Sequence, residues 1–88
     1  MARVFITGSA DGLGRLAAEA LLDEGPTVVV HARSRDRLAA AADLLDRGGE
    51  AVVGDLANLE ETRSVAADVN RLGRMDAVIH NAGVYSGP

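Results

Sequence analysis

The sequence has no cysteine, no tryptophan and no lysine, and a single phenylalanine and a single tyrosine. Each absence closes a route. Without cysteine there is neither a disulfide nor a thiolate metal site, and a reducing cytosol is a compatible setting. His31 and His80 lie far apart with no helical pairing, so no metal centre is expected. All nine basic residues are arginines, set against 13 acidic residues for a net charge of −4. An acidic balance without a basic block argues against nucleic acid as a partner. No charged leader precedes an apolar stretch, and no apolar run approaches bilayer length, so a membrane is not expected as a partner and a cytoplasmic location is. At 88 residues, 48% hydrophobic and 25% charged, the chain reads as one small globular domain rather than a disordered segment.

What is present alternates between two periods. "ARVFIT", "TVVV", "EAVVG" and "MDAVIH" are short runs rich in β-branched residues, too short for helices. Between them lie segments with helical spacing. In the first, Leu13, Leu16, Ala17, Ala20 and Leu21 form one face and Arg15, Glu19 and Asp23 the other, with Gly25 and Pro26 as the stop. In the second, Leu38, Ala41, Ala42 and Leu45 form the stripe before Gly48 and Gly49. In the third, Asn58 and Glu61 have capping-box spacing, Val65, Ala66, Val69 and Leu72 face inward, and Gly73 ends the run. The order β-α-β-α-β-α-β predicts an α/β fold: a doubly wound parallel sheet of the Rossmann type, partial, with four strands in the order 3-2-1-4 and three helices. No repeat or low-complexity linker interrupts it.

The stretch "TGSADGLG", Thr7 to Gly14, stands where the first strand passes to the first helix. Free amides at a helix N-terminus, with the helix dipole behind them, attract an anion. Gly8 permits a tight exit from the strand, Gly12 lets backbone approach a pyrophosphate, and Gly14 lets the helix pack close to the sheet. An ordinary turn followed by a helix start is the plainer reading. The strand-to-helix placement favours the phosphate-binding one.

The spacing G-x-x-x-G-x-G with a preceding threonine resembles the cofactor motif of the short-chain dehydrogenases/reductases. "GDLA", Gly54 to Ala57, is similar to that family's third-strand segment, and "HNAG", His80 to Gly83, to the N-N-A-G signature after its fourth strand, with His80 replacing the first asparagine. The resemblance covers the whole chain with its motifs in order. It implies that Gly8, Ser9, Gly12, Leu13 and Gly14 line the pyrophosphate site. Asp55 would accept a hydrogen bond from the adenine amino group, with Leu56 flanking the ring. Asn81, Ala82 and Gly83 would lie beside the cofactor ribose. Two plainer roles stand beside these: Asp55 capping its turn and Asn81 bracing the central sheet.

The end of the second strand selects the cofactor. A dinucleotide without the 2′-phosphate calls for an acidic residue there, whereas "VVVHARSR" supplies Ala32 and then Arg33. A guanidinium can clamp a 2′-phosphate with two charge-assisted hydrogen bonds, and Ser34 can add a hydroxyl. NADP is therefore expected in preference to NAD, although Asp11 occupies a position where many NADP-dependent relatives are basic. Arg33 and Arg35 as solvated residues ahead of a helix is the plainer alternative. His31 and His80 are expected to be packed and hydrogen-bonded rather than catalytic.

The resemblance implies hydride transfer between a nicotinamide and a carbonyl or alcohol, with a tyrosine placed four positions before a lysine as proton donor and a serine orienting the substrate. Tyr85 has no lysine to serve it, and no catalytic residue is identified. The chain is accordingly read as the N-terminal half of a dinucleotide-binding domain, residues 1–88, truncated before the substrate half and inactive alone. A fourth strand left with an open outer edge or face predicts self-association. A non-catalytic nucleotide-binding sensor or regulatory module is the alternative.

Overall fold

Alternation along the strands decides where the two cores lie. The computed structural model describes residues 2–10 and 12–81. Its elements are β1 (Arg3–Ile6), α1 (Gly12–Glu24), β2 (Thr27–Ala32), α2 (Arg35–Ala39), α3 (Ala42–Asp46), β3 (Glu50–Val53), α4 (Leu59–Leu72) and β4 (Ala77–Ile79). All strand pairs are parallel, in the order β3-β2-β1-β4 that the sequence predicts. Successive side chains of a strand point to opposite faces. Val4, Ile6, Val28 and Val30 therefore pack on one face with Ala18, Ala41 and Leu44, while Phe5, Val29 and Val52 pack on the other with Val65. The centre of the sheet is covered twice, with Val28, Val29 and Val30 fully buried.

Helix α1 packs by a face rotated from the expected one. Gly14 and Ala18 are buried, Ala17, Leu21 and Leu22 support them, and Leu13, Leu16 and Ala20 are exposed. At its N-terminal end the smallest side chains face the sheet because the helix there comes too close for leucine, which enters the core only further along, at Leu21 and Leu22. For α4 the sequence reading holds: Asn58 accepts the Glu61 N–H at 3.0 Å, and Val65, Val69 and Leu72 point inward, whereas Ala66 is exposed.

The single helix expected between the second and third strands is two. Continuation would hand the Ala40 carbonyl to the Leu44 amide. Leu44 N–H instead donates to Ala41 O at 3.0 Å, and Arg15 Nη1 takes the Ala40 carbonyl at 3.1 Å. Ala41, with φ −111° and ψ 19°, forms the break and is fully buried against the sheet. A turn of helix is exchanged for a side-chain bond from α1 and a buried methyl.

At the amino end of the sheet Arg3 and Asp76 clasp each other. Arg3 N–H donates to Asp76 Oδ2 and Asp76 N–H to Arg3 O, each at 2.8 Å. Arg3 Nε also stands 3.3 Å from Glu50 Oε1, close enough to pair as ions but not aligned as a hydrogen bond. These contacts leave the carboxyl end for the loops.

Candidate functional site

The turn from β1 into α1 lies at the carboxyl end of the sheet and is shaped by three glycines, Gly8 and Gly12 left-handed and Gly14 closely packed. Gly8 has φ 64°, a left-handed conformation that reverses the chain as it leaves β1. At Gly14 an added Cβ would stand 2.3 Å from Gly8 O and 2.5 Å from Asn81 Nδ2, so α1 reaches this close only because residue 14 has no side chain. Gly12, by contrast, faces open space. The Gly12, Leu13 and Gly14 amides lead the helix and meet no acceptor outside it among the described residues. Leading amides, an open approach at Gly12 and an outward Leu13 suit a diphosphate brought up against backbone.

Behind this rim the polar atoms are paired inward. Ser9 is fully buried, its hydroxyl donating to Ile6 O at 2.7 Å and accepting the His31 amide at 2.8 Å. Its side chain is thus part of the frame, not of the surface lining the expected pyrophosphate site. The Gly8 amide also points in, donating to His31 Nδ1 at 2.8 Å, while His31 Nε2 lies 2.7 Å from Gly54 O. His31 is 2% exposed, packed and bonded as the sequence implies. His80, expected to behave alike, is exposed and lines an open groove with residues of α4.

From the other flank, Asn81 Nδ2 donates to Gly8 O at 3.2 Å and its backbone N–H to Thr7 Oγ1 at 3.0 Å. Asn81 thereby ties the glycine loop to the end of β4. Ala82 and Gly83, expected beside it, lie outside the described residues, as does Asp11.

The ends of β2 and β3 complete the rim. Arg33 follows β2 and is exposed, and Ser34 Oγ caps α2 by accepting the Arg37 amide at 3.2 Å, leaving its own hydroxyl proton to donate. Asp55 follows β3, and its Oδ1 accepts the Ala57 amide at 3.0 Å in a local turn. Glu61, which the sequence marks only as a cap partner, accepts the Asp55 amide through Oε1 at 3.0 Å and fixes that loop to α4. Leu56 packs against the Phe5 core and lines an open apolar groove with Phe5, Val65, Val69, Val78 and His80.

Arg15 pairs with Asp43 and Glu19, holding the Asp43 carboxyl below its ordinary value, chiefly through the direct hydrogen bond, and raising its own. Among the described residues no group of histidines and carboxylates could hold a metal ion, and no helix is long and apolar enough to cross a membrane.

The sequence model of the short-chain dehydrogenases matches residues 2–88. The chain belongs to that family. An uncharacterized oxidoreductase of Emericella nidulans is 46% identical over 87 residues, which are 99% of this chain and 34% of that protein. Among solved short-chain dehydrogenase-like structures, the Pseudomonas aeruginosa RhlG/NADP active-site complex superposes with a TM-score of 0.84 at 29% identity, covering 99% of this chain and 35% of that one. A gluconate 5-dehydrogenase from Burkholderia cenocepacia in complex with NADP and tartrate gives 0.78 at 28%, covering 94% and 34%. This short-chain dehydrogenase chain therefore spans about a third of the length of the relatives it matches.

Proposed function

We propose that this chain supplies the NADP(H)-binding part of a short-chain dehydrogenase, an oxidoreductase acting between a carbonyl and an alcohol. The observation that carries the reading is the rim itself: leading amides of α1 over a bare Gly14, with Arg33 exposed at the end of the neighbouring strand. In this reading the Gly12, Leu13 and Gly14 amides hold the diphosphate and Gly8 shapes the loop. Arg33 and Ser34 take the 2′-phosphate. Asp55 Oδ2 accepts from the adenine amino group while Oδ1 keeps its turn, and the exposed part of Leu56 flanks the ring. Asn81, Ala82 and Gly83 run beside the ribose. When bound, the nicotinamide supplies or accepts hydride. The two solved relatives, each a complex with NADP, support that choice over NAD.

Titrating NADP(H) and NAD(H) into the wild type and Arg33→Ala tests it. Loss of the guanidinium is expected to weaken NADP(H) alone, by on the order of 1–3 kcal/mol. Equal weakening of both cofactors, or of neither, overturns the NADP assignment, and no binding of either by the wild type overturns the site.

With no lysine to support a catalytic tyrosine, the 88-residue chain is proposed to be inactive alone. NADPH-dependent carbonyl reduction by the purified chain would contradict this. The exposed β4, with Val78 46% and Ile79 38% accessible, supports self-association through that strand or its face. Sedimentation as a monomer at high concentration would oppose it.

A further inference from the structure

His31 meets the cofactor rim from beneath, and the reading above gives it no role. Its ring stands between two loops whose strands, β1 and β3, are not neighbours in the sheet. Only a side chain at the end of β2 can touch both. An amide N–H only donates, so Nδ1, 2.8 Å from the Gly8 nitrogen, is an unprotonated acceptor. A carbonyl only accepts, so Nε2, 2.7 Å from Gly54 O, carries the proton. The two partners together select one neutral tautomer. The ring is further held by the edge of Phe5, its centroid 6.4 Å away at 83°, and its backbone by Ser9 through a bond in each direction.

The Gly8 amide heads a loop that leads to the amides from Gly12 onward, which meet no acceptor outside the helix among the described residues. If Gly8 N–H were released it would be an inner donor without a partner, and the loop could turn to satisfy it. We infer that His31 is a positioning residue for the dinucleotide: Gly54 O keeps the proton on Nε2, which keeps Nδ1 bare to hold Gly8 N–H inward and fix the amides from Gly12 onward. This rests on the dinucleotide reading of the rim.

Three substitutions separate this from bulk packing. In His31→Asn the carboxamide oxygen takes the place of Nδ1, preserving the acceptor for Gly8 while losing the reach to Gly54. In His31→Gln the terminal NH₂ reaches towards Gly54 and Gly8 is left without its acceptor. His31→Phe keeps ring volume and neither bond. With folding verified by circular dichroism, NADP+ affinity is expected to stay within about threefold of wild type in the Asn variant and to fall roughly tenfold in the Gln and Phe variants. Affinities that follow thermal midpoints instead, or an Asn variant as weak as Phe, overturn the inference. Should the variants not fold, nitrogen-15 NMR of the wild type decides. A scalar coupling across Gly8 N–H···Nδ1 that persists when NADP+ is added supports the tie, and its loss on binding refutes it. A wild type that binds no NADP+ removes the dinucleotide reading and this inference with it. A wild type that binds while all three variants bind equally well removes the inference alone.

Discussion

The glycine loop is held from two flanks that differ in almost every respect. On the β2 side the ties are Ser9 and His31, fully or almost fully buried, with their polar atoms partnered inside the fold. On the β4 side the tie is Asn81, at the end of a strand whose three residues are all exposed, bonded to Gly8 O and to the hydroxyl of Thr7, which is itself buried at the end of β1. The strands themselves are alike in composition, "TVVV" against "AVI". The difference is cover: β2 contributes to the packed clusters on both faces, and among the described residues β4 contributes to neither. A bond lost in a buried frame leaves its partner stranded, whereas one lost at an exposed edge is replaced by water. The two flanks of one loop should therefore differ in what they contribute to stability.

The strongest challenge to that contrast is Gly14→Ala, which strikes both flanks together. Its methyl meets backbone at Gly8 O and the amide of Asn81, and backbone cannot yield as a flexible side chain can. Destabilisation by about 3 kcal/mol or more is expected in denaturant melts. A variant as stable as wild type would show that α1 is free to back away. Next comes Ser9→Ala, which strands the Ile6 carbonyl and the His31 amide inside the protein. A loss of about 1–3 kcal/mol is expected from the same melts. Asn81→Ala removes one longer bond, 3.2 Å, at the exposed flank and is expected to cost less than about 1 kcal/mol. Equal losses for Ser9→Ala and Asn81→Ala would remove the distinction between the flanks.

The smallest effect belongs to Asp43, which is bonded to Arg15 and not to the loop. Its folded value lies below the unfolded one, so its contribution is present above the ordinary carboxylate value near 3.8 and disappears as pH falls through the folded value. Thermal midpoints followed from neutral pH into acid should fall less steeply for Asp43→Asn than for wild type. Identical acid profiles would show that the pair with Arg15 contributes nothing measurable, as many exposed ion pairs do.

The strand pattern, the parallel order and the placing of the glycine loop were legible because each depends on local period and on a few chain-reversing residues. The split between α2 and α3 was not. "LAAAADLL" reads as unbroken helix, since alanine is helix-favouring and carries no stop signal. What breaks it is a guanidinium from α1, a contact that no local window contains. The packing face of α1 was misplaced for a related reason: hydrophobicity pointed to Leu13 and Leu16, while the sheet accepted Gly14 and Ala18 on the criterion of size. Ser9 was expected to line the pyrophosphate site with its neighbours in the motif, and nothing in the local sequence marks its hydroxyl as buried between Ile6 and His31. His31 was legible as buried and bonded, because a polar side chain ending a valine strand must find partners. Its bond to Gly8 was not, since those partners lie 23 residues away along the chain in each direction.

The junction between the two short helices also bears on the chain's exclusive use of arginine. Arg15 reaches Glu19 with Nε, the Ala40 carbonyl with Nη1 and Asp43 with Nη2, three acceptors on three sides of one flat group. An ammonium is a point charge on a flexible stem and cannot present that fixed fork. Arg15→Lys, a formally mild exchange, would therefore unfasten the seam between α1 and the α2–α3 junction. At this place in the molecule, side-chain shape, more than charge, stands in for a missing turn of helix.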